Sequence, residues 1–170
     1  MPMDVVVSDT NIFIDLMSVG LLETIGGLPL NIHTVDYVVE EIRDDKQREA
    51  IIRLKESGQI YVKSFDEVES ESIIKMYLSR SNNVSVTDCS VWYYAKKNGY
   101  RLLTGDKKLK DTAMSDGVLV SGILFLTDML VKENIVGMTE MAEKLERLLS
   151  INSRLPKSLF NERIAKYRKV

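Results

Sequence analysis

"VVVSDTNIFID", residues 5–15, runs three valines into a serine, an acid, a threonine and an asparagine. A valine run without polar alternation is the pattern of a strand covered on both faces, and such strands belong to parallel sheets flanked by helices. In open sheets of that class, ligands bind beyond the carboxyl ends of the strands. Asp9 therefore stands where a site would be, and the question is which other acids reach the same edge.

Outward from this strand the pattern alternates. Residues 11–18 have helical character, and "IGGLPL" turns the chain into a second apolar stretch at 30–34. Val35, Val38, Val39 and Ile42 follow helical spacing, and residues 46–57 continue as an amphipathic helix that stops at Gly58. "QIYVKSF" reads as a third strand and residues 67–79 as a helix. "SRSNNVS" is loop chemistry, and "VTDCSVWYYAKKNGY" is a helix closed by Asn98 and Gly99. "RLLT" makes a fourth strand. A helix near 106–115, a fifth strand "VLVS" and helices near 122–134, 138–150 and 156–167 follow. This order predicts an α/β fold of three layers, α/β/α, around a central, mainly parallel five-stranded sheet with right-handed crossovers.

At 170 residues, 45% of them hydrophobic, the chain holds enough apolar surface for one domain with a sizeable core. The single cysteine, Cys89, excludes an internal disulfide, and with one histidine, His33, the usual zinc ligand sets are excluded too. Any bound metal must therefore take oxygen ligands. No signal-peptide pattern opens the sequence and no apolar run spans a bilayer, so the expectation is a cytoplasmic protein without membrane contact. The net charge of −2 is unevenly spread. Residues 153–170 carry six basic residues against one acid, which leaves the rest acidic. Such a tail suits a polyanion or an acidic partner, and equally a solvated helix face.

Asp9 follows the first strand, and Asp106 follows the fourth in "LLTGDKKLK": the same strand-to-acid construction used twice. The two meet if those strands are neighbours at the sheet's switch point. Asp88 opens a helix in "VSVTDCS", and Glu41 stands in "VVEEI" on an otherwise apolar helical face, with Glu40 pointing elsewhere. Each acid also has an ordinary role, as a cap, a first-turn residue or a surface charge. Together, without basic partners, they would repel one another unless a hard divalent cation joined them. Mg²⁺ or Mn²⁺ held by carboxylates and water is the chemistry that cuts phosphodiester bonds.

"SDTNIFID", "VVEEI", "VTDCSVWYYAKKNGYRLLTGDKKLK" and "GILFLTDMLVKENIV" together resemble the PIN domain, the nuclease fold of VapC-type toxins and related ribonucleases. The resemblance covers roughly residues 3–150. It implies a metal-dependent endoribonuclease, the toxin of a toxin–antitoxin pair being one such role, whose metal-binding and catalytic acids map to Asp9, Glu41, Asp88 and Asp106. Mg²⁺ or Mn²⁺ is the implied cofactor. RNA is the implied substrate, with an antitoxin protein and a second copy of the chain as candidate partners. Asp111 matches a further acid that some members use, although a helix surface suits it better. Thr10, Asn11 and Thr104 supply hydrogen bonds that would orient the carboxylates. Residues 1–150 then form the nuclease domain, and 151–170 a basic helical extension packed on it.

Other readings fit less well. A haloacid-dehalogenase-type phosphatase needs a second acid where this chain has Asn11. A response-regulator receiver needs a phosphoacceptor after strand three, where only Asp66 stands. A catalytically inactive PIN-like module that binds RNA or protein is the remaining alternative.

Overall fold

The computed structural model describes residues 3–79 and 84–169. Most of the predicted loop "SRSNNVS" lies outside the described residues. Strand β1 (Asp4–Ser8) is the centre of the sheet. It pairs in parallel with β2 (Leu30–Val35) on one side and with β4 (Arg101–Leu103) on the other. β3 (Ile60–Lys63) lies beside β2, and β5 (Val120–Ser121) beside β4, giving the order β3-β2-β1-β4-β5 with all neighbours parallel. The α/β fold with a five-stranded parallel sheet is as the alternation predicts.

Val6 and Val7 point to opposite faces of the sheet, and neither is more than 1% exposed. Helices therefore cover both faces, which is what a valine run without alternation requires. Burying each such side chain contributes about 1.5–3 kcal/mol before the cost of ordering it. The chain builds β1, β2 and β3 outward in one direction and then returns to place β4 on the other side of β1. That reversal is the switch point, and it falls between the strands that carry Asp9 and Asp106.

Helix α1 (Thr10–Ser18) leaves β1 directly and buries Ile12, Phe13 and Leu16. α2 (Asp36–Glu41) is short, and the predicted continuous helical stretch breaks there. Ile42 is extended, and Asp44 restarts the chain as the N-cap of α3 (Asp45–Glu56), accepting from the Gln47 amide at 2.9 Å. α4 (Glu67–Leu78) begins with a capping box made by Asp66 and Glu69, which gives Asp66 a structural role. α5 (Val86–Asn98) is largely buried. Cys89, Val91, Trp92 and Ala95 are inaccessible, and Gly99 closes the helix in a left-handed conformation, φ +69°. Cys89 is thus a packing residue, and Trp92 and Tyr94 belong to the core, the indole N–H donating to Asp116 Oδ2 at 3.0 Å. α6 (Lys107–Ser115), α7 (Ile123–Lys132) and α8 (Met138–Ile151) complete the body.

Helix α9 (Lys157–Arg168) packs through Phe160, Ile164 and Tyr167, which are buried at spacings of four and three residues. Leu159 is 44% exposed because it sits about 100° around the helix from Phe160. The tail's charges are partly spent on the body. Arg163 pairs with Asp128, which also accepts from the Tyr167 hydroxyl, and Arg168 Nη2 lies 2.9 Å from Glu146 Oε1. These two arginines are therefore not free to meet a polyanion, whereas Lys157, Lys166 and Lys169 remain exposed.

If α9 is part of the folded body, Phe160→Ala should destabilise the protein by about 3–5 kcal/mol. Leu159→Ala should stay within about 0.5 kcal/mol of the wild type. Chemical denaturation of the two variants measures the contrast, and equal effects would contradict the packing.

Candidate active site

Asp9 ends β1 and caps α1. Its backbone N–H donates to the Leu103 carbonyl at 2.9 Å, which carries the β1–β4 ladder one residue past the strand. Its carboxylate is 3% exposed and held on both oxygens: Oδ1 accepts from the Thr10 amide and Oδ2 from the Thr104 hydroxyl, each at 2.8 Å. The same Thr104 hydroxyl accepts from the Asp106 amide at 3.1 Å. One buried side chain therefore joins the acid after β1 to the acid after β4.

Glu41 is the last residue of α2, and the Thr10 hydroxyl donates to its Oε2 at 2.6 Å. Thr10 thus serves Asp9 with its amide and Glu41 with its hydroxyl. Glu40 is exposed and lines a separate groove with Val39 and Lys55. Asp88 forms a capping box at the start of α5: its Oδ2 accepts from the Ser85 amide, and its own amide donates to Ser85 Oγ, both at 3.0 Å. Asp106 caps α6, with Oδ1 accepting from the Leu109 amide at 2.9 Å.

The ordinary cap roles are therefore real, yet they do not exhaust the carboxylates. Asp88 Oδ1, Asp106 Oδ2 and Glu41 Oε1 accept no hydrogen bond from the described residues. Asn11, expected to help orient the acids, is exposed and makes no hydrogen bond to them. Asp111 is exposed on α6 and makes none either.

The acids feel one another. Asp9 is pushed up from 3.8 to about 7, first by burial and then by the Asp88 charge, with a smaller push from Glu41; the bonds from Thr104 and Thr10 oppose the rise. Burial also raises Asp88, aided by Asp106 and Glu41 and opposed by the Ser85 bonds. Among the described residues no lysine or arginine forms an ion pair with any of the four. Repelling carboxylates, oxygen donors only and no basic partner form a donor set that fits a hard divalent cation. The side chains stay anchored to separate helix termini, however. Among the described residues no three Asp, Glu, His or Cys groups lie close enough to hold a metal ion.

Two features escaped the sequence reading. Ser85, three residues before Asp88, has capping-box spacing and was legible in "SVTD". The other is an open cleft of about 810 Å³ that begins at Asp106 and Asn11 and runs to the junction of α8 and α9. In it Asn152 Nδ2 donates to both oxygens of Asp15, at 3.2 and 3.1 Å, and burial raises the Asp15 pKa. Asn152 is too remote in the chain for any local pattern to announce this pairing.

A family model described as a PIN domain matches residues 5–169. The comparison with curated proteins returned no match. Among solved structures, VapBC2 from Rickettsia felis bound to a DNA fragment from its promoter is 13% identical, with a TM-score of 0.48, covering 69% of this chain and 98% of that one. FitAcB from Neisseria gonorrhoeae is 16% identical, with a TM-score of 0.43, covering 70% of this chain and 98% of that one. A domain of a functionally unknown protein from Methanocaldococcus jannaschii DSM 2661 is 21% identical, with a TM-score of 0.47, covering 70% and 90%. The family assignment rests on the family model rather than on these similarities.

Because folding raises the Asp9 pKa above its unfolded value, the protonated carboxyl is the form the fold favours. That contribution is fully present below about pH 4 and is lost as the pH rises through about 7. Metal-free protein should therefore lose stability across this window. Asp9→Asn should flatten the loss and melt a few degrees above the wild type at pH 8, at roughly 2–4 °C per kcal/mol. Denaturation curves recorded at several pH values would contradict this if the variant kept the wild-type slope.

Proposed function

The chain belongs to the PIN-domain family, and we propose that it is a cytoplasmic, metal-dependent endoribonuclease that hydrolyses RNA phosphodiester bonds. The observation that supports the reading is that, near one edge of the sheet, Asp9 feels the charges of Asp88 and Glu41 and Asp88 feels those of Asp106 and Glu41, while among the described residues no base forms an ion pair with any of the four. Asp9, Glu41, Asp88 and Asp106 are the residues that would hold Mg²⁺ or Mn²⁺. A bound divalent ion would supply Lewis-acid activation of water and stabilise charge on the phosphorus and the leaving oxygen.

The chain's own residues prepare this site in distinct ways. Thr104 and the Thr10 amide fix both oxygens of Asp9, so its plane cannot rotate freely. Thr10 Oγ1 ties Glu41 to the same point. The free oxygens of Asp88, Asp106 and Glu41 are the donors left for a cation. We assign residues 1–150 to the nuclease domain and 151–170 to a helical extension on the same body. By family resemblance, an antitoxin protein and a second copy of the chain are proposed partners. Among the described residues no helix is long and apolar enough to cross a membrane.

A second reading, an inactive PIN-like binding module, draws on the separation of the acids noted above. A cleavage assay on single-stranded RNA with Mg²⁺, Mn²⁺ or chelator separates the two. The nuclease reading expects cleavage only with metal and losses of about a hundredfold or more for Asp9→Asn and Asp106→Asn. Thr104→Val, which removes only an orienting bond, should cost about 10- to 100-fold. RNA that is bound but never cut with any divalent ion would favour the binding module.

A further inference from the structure

The open cleft beside the acids has a wall of unpaired bases. Lys107 and Lys108 open α6 immediately after Asp106, and Arg154 faces the same space from the α8–α9 junction. All three are exposed, and among the described residues none pairs with an acid. The tail's two arginines on α9, by contrast, are committed to Asp128 and Glu146. Among the described residues these three unpaired bases thus line the cleft that begins at Asp106, whereas the arginines of the tail helix are paired.

The one acid on the far wall is muted. Asp15 gives both oxygens to the Asn152 amide, and burial disfavours its charged form. The same bond ties the α8–α9 junction, which carries Arg154, to α1. At about 810 Å³ the cleft falls in the range that encloses small-molecule ligands, about 300–1,000 Å³, and it is open along its length. It also begins at Asp106, so a strand lying in it would pass that carboxylate.

We propose that this cleft holds the phosphodiester backbone of single-stranded RNA next to the bond to be cut, with Lys107, Lys108 and Arg154 contacting its phosphates. The proposal rests on the nuclease reading for the identity of the substrate. RNA is favoured over an acidic peptide because the cleft begins at Asp106, one of the acids of the proposed nuclease site, which has a bond to cut in RNA and none in a polyacidic peptide.

The test uses the full chain in chelator, so that RNA is bound and not cut. A fluorescent ten-nucleotide oligouridylate is titrated at several salt concentrations against three forms. One is the wild type, one carries Lys107→Ser, Lys108→Ser and Arg154→Ser, and one carries Lys157→Ser, Lys166→Ser and Lys169→Ser on the tail, an equal change in charge. The cleft variant should lose about tenfold or more in affinity near 0.1 M salt. Its plot of log affinity against log salt should flatten by about 2, for three lost phosphate contacts at about 0.7 each. The tail variant should stay within about twofold of the wild type. A charge-conserving variant, Lys107→Arg, Lys108→Arg and Arg154→Lys, should bind as the wild type does, and equal melting temperatures show that all forms are folded.

Unchanged affinity and slope in the cleft variant would overturn the proposal, as would an equal loss in the tail variant. So would deca-glutamate binding as tightly as the RNA and losing it through the same cleft substitutions. A chain that binds RNA through the cleft but never cuts it supports this proposal while the nuclease reading fails. A cleft variant that binds normally but cuts poorly overturns this proposal and leaves the nuclease reading standing.

Discussion

Parallel pairing of β1 with β4 determines where the candidate site can be. It brings Ser8 beside Leu103, so the chain leaves both strands at the same height, with Asp9 on one side and Thr104 on the other. From there a single hydroxyl, that of Thr104, spans the Asp9 carboxylate and the Asp106 amide. Shift the register by one residue and every side chain after the strands turns to the opposite face, breaking this contact first.

Three helices, α1, α5 and α6, begin at or near this edge, and each starts with one of the acids. A helix N-terminus favours a nearby negative charge by about 0.3–1 kcal/mol in exposed settings. For Asp9 that benefit does not win. Burial and the Asp88 charge push its pKa up to about 7. Burial and the neighbouring charges outweigh the cap bonds. The fold therefore holds an electrostatically unfavourable arrangement at Asp9, which accepts from the adjacent Thr10 amide, whereas the caps at Asp44 and Asp66 accept from the amide three residues on.

How much of this could be read beforehand depended on range. The valines, the repeated strand-to-acid construction at Asp9 and Asp106 and the glycine stop at Gly99 are local signals, and all had the structural meaning their chemistry suggests. The helical spacing at 35–42 was also local, but it could not reveal the break at Ile42, because apolar periodicity does not register where a backbone turns extended. Glu41 was set apart from Glu40 by helical spacing alone, but its hydrogen bond from Thr10, a partner 31 positions away, carried no local mark. The tail's bases were visible as charges, but their pairing with Asp128 and Glu146 was not, since opposite charges far apart in sequence carry no mark of each other. The cleft was the least legible feature, being assembled from α1, the start of α6 and the α8–α9 junction.

The central claim is that the like-charged acids at this edge form a place for a divalent cation. Anomalous diffraction from crystals soaked in Mn²⁺ tests it most directly. The expected result is a manganese peak among Asp9, Glu41, Asp88 and Asp106, absent in Asp9→Asn crystals soaked in the same way. A saturating soak that leaves no peak among these residues, or that places manganese only elsewhere on the surface, would contradict it.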